Sequence, residues 1–404
     1  MELNATRLAR FGALLPVAVA ALATARAQQP FDPSAWAISA AEWRVEPYRG
    51  RDALLLREGA AWLRGSRFQN GTIEFDIAFS EVSGFPGIAF RAATHDDYEL
   101  FYLRENLSGQ PHATQYTPVL HGLYAWQIYA GPTWEATARW TYDRWMHVKL
   151  VVSGTRAELY VDGDSVQVIP RLRGPEGAGE VGVLAGPGAA RFANFVVRPA
   201  GAPSLAGTPP AVPDSTPAGI VRTWRVSAPF AESLITGVAD LAAVPGPATW
   251  DTLGIEERGI ANLARLAGNG NGRNTVVAAV TITSDRARTV PVRFGFSDRV
   301  RVYLNGRMLY AGNDGFGSHD PDFLGIVGLF DELALPLKRG PNELWFAVSE
   351  TFGGWAITAD LPDRDGITVN ARSYLKSQTG SVNKYRQRER ATASEPRERP
   401  AFAP

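Results

Sequence analysis

Gly71-Thr-Ile-Glu-Phe-Asp-Ile-Ala-Phe79 decides the fold class of this chain. Ile73, Phe75, Ile77 and Phe79 fall on one side of an extended backbone, and Glu74 and Asp76 on the other, which is the period of two of a half-buried strand. Met146-His-Val-Lys-Leu-Val-Val152 repeats the pattern with Met146, Val148, Leu150 and Val152 as its apolar face. Ala157-Glu-Leu-Tyr-Val161 and Asp164-Ser-Val-Gln-Val168 flank Asp162-Gly163, a dipeptide whose glycine accepts the positive φ of a tight hairpin turn. No stretch between 28 and 198 has a helical period, so an all-β sandwich is expected there.

Outward from this region the composition changes twice. Residues 199–219 hold six prolines among Ala, Gly, Ser and Thr, and read as a linker, extended and open to protease. Residues 220–370 return to strands: Val276–Thr283, Val290–Phe296, Val300–Leu304, and Glu343–Val348 after Gly340-Pro341-Asn342. Asn305-Gly306 leads into Arg307-Met-Leu-Tyr310 as a second tight hairpin. A second β-sandwich is expected, with Ile255–Leu266 as a helical turn or two. Residues 371–404 are polar and basic, and are expected to be disordered.

At the other end, Arg7 and Arg10 precede the apolar run Phe11–Thr24, and Ala25-Arg26-Ala27 fits a cleavage site. Residues 1–27 are therefore expected to be a signal peptide, with the mature chain secreted or periplasmic and free of a transmembrane span. Lys+Arg and Asp+Glu both total 41, so no net charge draws the chain to nucleic acid. Cysteine is absent, which excludes disulfides, zinc–thiolate sites and cysteine nucleophiles.

Several pieces resemble the laminin-G/concanavalin A-like sandwich superfamily, closest to the 3-keto-disaccharide hydrolase type of domain. They are Asn70–Asp76, Gly87-Ile-Ala-Phe-Arg-Ala92, Tyr98-Glu-Leu100, Trp145–Val152 with Leu159-Tyr-Val-Asp-Gly163, and Gly179–Leu184 with Arg191-Phe-Ala-Asn-Phe195. Phe101 and Arg104 stand where the hydrolase pattern carries Gln and Asp, so the resemblance implies a sugar-related sandwich more than it implies catalysis. Val300–Gly306, Lys338–Trp345 and Gly353–Ile357 resemble the galactose-binding-like jelly rolls attached to many glycosidases.

The segment Tyr98–Trp145 is the richest in chemistry. Tyr102, Tyr116, Tyr124, Trp126, Tyr129, Trp134 and Trp140 accompany His112, His121, Arg104, Glu105 and Gln127. Rings beside such polar groups suit the C–H faces and hydroxyls of a sugar, and they also suit a sandwich core. The candidate ligand-binding residues are Arg91, Glu99, Tyr102, Arg104, Tyr116, His121, Trp126, Gln127 and Trp134, with Trp126 and Trp134 foremost. Arg91 and Glu99 flank Thr94-His-Asp-Asp97 and are expected on adjacent antiparallel strands within salt-bridge reach.

Catalysis of glycoside hydrolysis would need a pair among Glu99, Glu105 and Glu135, or one of them with His121. No cofactor is expected. Calcium stays an alternative at Asn313-Asp-Gly315, His319-Asp-Pro-Asp322, Asp360, Asp363 and Asp365, none of which matches the twelve-residue calcium loop. Three readings stand: a non-catalytic carbohydrate-binding envelope protein, a secreted glycoside hydrolase, and a structural envelope protein that binds another protein.

Overall fold

A computed structural model describes residues 31–210, 216–240 and 249–371. The expected signal peptide and all of the basic tail but Ala371 lie outside the described residues. The first part consists of β1 (Trp36–Tyr48), β2 (Arg51–Phe68), β3 (Gly71–Phe79), β4 (Gly87–Thr94), β5 (Asp97–Leu103), β6 (Thr114–Leu120), β7 (Leu123–Tyr124), β8 (Glu135–Ala136), β9 (Met146–Ser153), β10 (Arg156–Val161), β11 (Asp164–Ile169), β12 (Gly179–Ala185) and β13 (Ala190–Pro199). They form one antiparallel sheet that forks at β2. One side of β2 carries β1. Its other side carries β13 at Leu54–Leu56 and β12 from Gly59 to Phe68. One arm continues through β3, β9, β10 and β11, the other through β4, β5, β6 and β7.

The arms close over a shared core. Ile73, Phe75, Ile77 and Phe79 meet Met146, Val148 and Leu150 on the first arm and Ile88, Phe90, Phe101 and Leu103 on the second. Register places Ile73 opposite Leu150, Phe75 opposite Val148 and Ile77 opposite Met146, so the two alternating stretches present their apolar faces together. Asp162 and Gly163 have φ of 51° and 93°, and Asn305 and Gly306 have 52° and 88°, the geometry that both turn dipeptides call for.

The second part holds β14 (Thr223–Ser227), β15 (Trp250–Gly254), β16 (Ala261–Asn262), β17 (Thr275–Ser284), β18 (Arg288–Ser297), β19 (Arg299–Leu304), β20 (Arg307–Asn313), β21 (Asp331–Leu337), β22 (Gly340–Ser349), β23 (Ala356–Asp360) and β24 (Ile367–Asn370). A seven-stranded sheet, β15-β14-β17-β22-β19-β20 with β24 beside β17, faces a four-stranded one, β16-β23-β18-β21. Trp224, Phe294, Phe346 and Trp355 fill the space between them. Residues 255–266 form the expected helical turns as two 3-10 turns around β16, with Arg258 at a φ of 61°.

The two parts are packed together. Ile260, Val327 and Ala356 belong to the first core, and Leu120 and Leu123 pack against the second. Arg258 donates to the Ala130 and Val327 carbonyls at 3.0 and 2.7 Å. The Tyr129 hydroxyl donates to Glu256 at 2.6 Å. The proline-rich segment does not stand free over residues 199–210. The nearly buried Glu158 accepts the Gly207 amide at 2.7 Å, and Arg156 donates to the Gly207 carbonyl at 3.1 Å. A carboxylate 1% exposed needs such donors, and the segment supplies them.

Candidate functional site

The sequence candidates separate into a core group, a buried polar network and an exposed platform. Tyr116 and Trp134 are core residues, 0% and 3% exposed, with ring centroids 5.6 Å apart. Tyr116 faces inward from β6, and Trp134, just before β8, packs on it in the first core. Arg91 and Glu99 do lie on adjacent antiparallel strands, but the expected ion pair is replaced. The register of β4 shifts after Phe90, and Arg91 takes a φ of 53°. Its guanidinium donates to the Gln69 carbonyl at 2.7 Å, the Gly154 carbonyl at 2.6 Å and Asn70 Oδ1 at 3.1 Å. Glu99 instead accepts from the Tyr116 hydroxyl at 2.5 Å. Burial pushes its carboxyl up to about 7, against the hydrogen bond from Tyr116.

Tyr102, Arg104 and Glu135 are brought together, with Gln115 as a fourth member that the sequence reading missed. Arg104 donates to Glu135 at 3.2 Å, to the Tyr102 hydroxyl at 3.1 Å and to the Gln115 amide oxygen. Gln115 in turn donates to the Trp126 carbonyl at 2.9 Å. Glu135 is thus the partner of an arginine, and it borders a cleft of about 290 Å³ with Ser165 and Gln167. Glu105 is fully buried between Gly84 and Gly188, its carboxylate oxygens have no hydrogen-bond partner among the described residues, and burial raises it to about 8. His121 is exposed in the turn after β6, where its amide donates to Asp97 at 2.9 Å. No two of these four catalytic candidates share a wet face.

Trp126 stands apart. Its half-buried ring lies 6.0 Å from Phe316 and 5.9 Å from Phe352, and those two rings are 6.1 Å apart. Phe316 and Phe352 are 52% and 56% exposed, so three aromatic faces from both parts of the chain meet at one surface. Gln127 sets this arrangement. It is fully buried and makes four hydrogen bonds to the second part, so it supports the platform and does not face a ligand. Its amide nitrogen donates to the Leu324 carbonyl at 2.8 Å, and its amide oxygen accepts from Ser297 at 2.8 Å. Its backbone pairs with Gly353 at 3.0 Å and Val327 at 3.2 Å.

Asp298 clamps the loop that carries Phe352, accepting the Thr351 and Phe352 amides at 2.6 and 2.8 Å. Its own backbone carbonyl accepts the Asp314 amide at 2.7 Å, which fixes the start of the loop that carries Phe316. A side chain at Gly353 would collide with the Gln127 amide at 2.6 Å, so glycine is required where the loop crosses it. Ring flanks of small residues, Gly315-Phe316-Gly317 and Phe352-Gly353-Gly354, were the one sequence signal for this site.

Among the described residues, no three His, Cys, Asp or Glu side chains converge as metal ligands. At the calcium alternatives, Asp314 pairs with His319 at 2.9 Å and Asp360 with Arg293, while Asp363 accepts the Asp365 amide as a turn residue. No helix of the described residues is long and apolar enough to cross a membrane.

The fold defines an all-β protein whose first part is one antiparallel sheet closed over its own core and whose second part is a two-sheet β-sandwich. No protein-family model matches the chain, and no curated protein matches it. Solved structures similar to it include a carbohydrate-binding module from Bacillus subtilis, 17% identical over 40% of this chain and 93% of that one, with a TM-score of 0.31. A Bacillus licheniformis beta-glucanase is 7% identical over 41% of this chain and 92% of its own, with a TM-score of 0.30. A galectin from Caenorhabditis elegans is 13% identical over 39% of this chain and 100% of its own, with a TM-score of 0.25.

Proposed function

We propose that this chain is a secreted or periplasmic carbohydrate-binding protein of the cell envelope, non-catalytic, whose ligand rests on Trp126, Phe316 and Phe352. The single observation that carries this reading is the meeting of two exposed rings, Phe316 and Phe352, with the half-buried ring of Trp126. Aromatic faces that remain exposed on a rigid support suit the C–H faces of a pyranose. The rings are held before any ligand arrives, by Gln127 and Asp298, which lowers the ordering cost of binding. The hydrolase reading has less support, because Glu99 and Glu105 are buried and Glu135 is paired with Arg104.

The test is a glycan array probed with the parent, Trp126→Ala and Phe352→Ala, with a product assay on every hit. Each variant should melt as the parent does and bind at least about fivefold more weakly, the scale of one stacking ring. Unchanged binding by both variants refutes the platform. Sugar release from a hit refutes the non-catalytic reading, and capture of proteins with no glycan bound favours the structural one.

A further inference from the structure

A second candidate site lies in the second part, where β14 and β24 share one edge of β17. β14 pairs with Ala278 and Ala279, and β24 pairs with Thr281 through Ser284. Two strands laid end to end along one edge must part, and the space between them is a cavity of about 490 Å³. That is the size range of small-molecule sites. Arg222, Thr223, Thr252, Arg364 and Asn370 supply its polar wall, and Val369 part of its apolar wall.

The charge in this cavity is one-sided. Arg364 is fixed by its donation to the Ile220 carbonyl at 3.0 Å. Burial lowers the pKa of the Arg364 guanidinium, Asp360 acts against that, and the exposed Arg222, which lines the same cavity, lowers it further by a smaller amount. Asp360 is the acid that acts on Arg364, but it is fully buried and engaged by Arg293 at 3.2 Å. Two guanidinium groups beside a space with no acid of its own favour an anion there. The hydroxyls of Thr223 and Thr252 suit the hydroxyls of a sugar ring that bears it.

We infer that this cavity binds the carboxylate of a uronic-acid unit in an acidic polysaccharide. That the anion is carried on a sugar rests on the carbohydrate reading above, whereas the anion site itself rests on the arginines alone. The experiment is calorimetric titration of the full chain with trigalacturonate, neutral trigalactose and acetate, repeated with Arg222→Ala and Trp126→Ala. Trigalacturonate should bind at least about tenfold more tightly than either control, the scale of one charge-assisted hydrogen bond. Arg222→Ala, at an exposed position, should keep the parent melting temperature and lose about that factor, whereas Trp126→Ala should weaken trigalacturonate and neutral trigalactose alike and leave the ratio between them unchanged.

Equal binding of the neutral trisaccharide overturns the acid site, as does parent-like trigalacturonate binding by Arg222→Ala. Acetate as tight as trigalacturonate overturns the sugar assignment and leaves a bare carboxylate site. If neutral glycans bind through Trp126 and Arg222 adds nothing, only this inference fails. If no glycan of either kind binds, the carbohydrate reading fails with it.

Discussion

Glu350→Gln probes the support beneath the aromatic platform through pH. Glu350 is nearly fully buried, with one oxygen 3.4 Å from the Gly354 amide and the other without a partner among the described residues. Burial, and then the neighbouring Asp298 charge, raise its carboxyl from 4.5 to about 9, against the Gly354 amide and Arg299. Between those values the group is protonated in the folded protein and ionised in the unfolded chain. The folded state then holds one more proton, so stability is highest below the unfolded value and falls as pH rises through this window. One proton corresponds to about 1.4 kcal/mol per pH unit, hence about 3 kcal/mol between roughly pH 6 and 8.

Glutamine cannot ionise and keeps an acceptor for the Gly354 amide. The stability of Glu350→Gln relative to the parent should therefore improve by about 3 kcal/mol over that range. Urea unfolding at a series of pH values measures it, and the variant-minus-parent difference cancels Glu99 and Glu105, which titrate in both proteins. A difference that stays constant from pH 6 to 8 refutes the reasoning, because it means that Glu350 is already ionised in the fold.

Trp134→Ala should destabilise the protein by about 3–5 kcal/mol, read as a lower urea midpoint, because its ring is packed against Tyr116 and Tyr129 in the core. Trp126→Ala should unfold at the parent midpoint. Gln127→Leu removes two side-chain hydrogen bonds and strands the Leu324 carbonyl, while the Ser297 hydroxyl keeps Asp298; it should cost about 1–3 kcal/mol and weaken glycan binding without touching a ring. After protease cleavage within residues 211–215, the two halves should co-elute on size exclusion, because Ile260, Val327 and Ala356 lie in the first core. Separation of the fragments refutes that interface.

Much of the fold was legible because its determinants are local. The parity of Ile73 to Phe79 and of Met146 to Val152 sets which face is apolar, whatever lies opposite. Asp162-Gly163 and Asn305-Gly306 set their turns because few residues tolerate the φ required. The helical turns expected at 255–266 are present as two short 3-10 turns, and they stay short because Arg258 and Glu256 use their polar groups across the interface.

The site was not legible in this way. Trp126 and Trp134 share one loop and one side-chain chemistry, and composition ranks them together. Only the packed structure buries Trp134 against Tyr116 and leaves Trp126 beside Phe316 and Phe352, residues far along the chain. Glu99 and Glu105 carry the same functional group as any catalytic acid, and their burial, not their identity, decides how they titrate. Arg222 and Arg364 become neighbours only because β14 and β24 part along β17. Strand parity is fixed by the backbone within a few residues, so the sequence determines it. Exposure and charge environment are fixed by whatever else arrives in the same volume, and that only the tertiary structure decides.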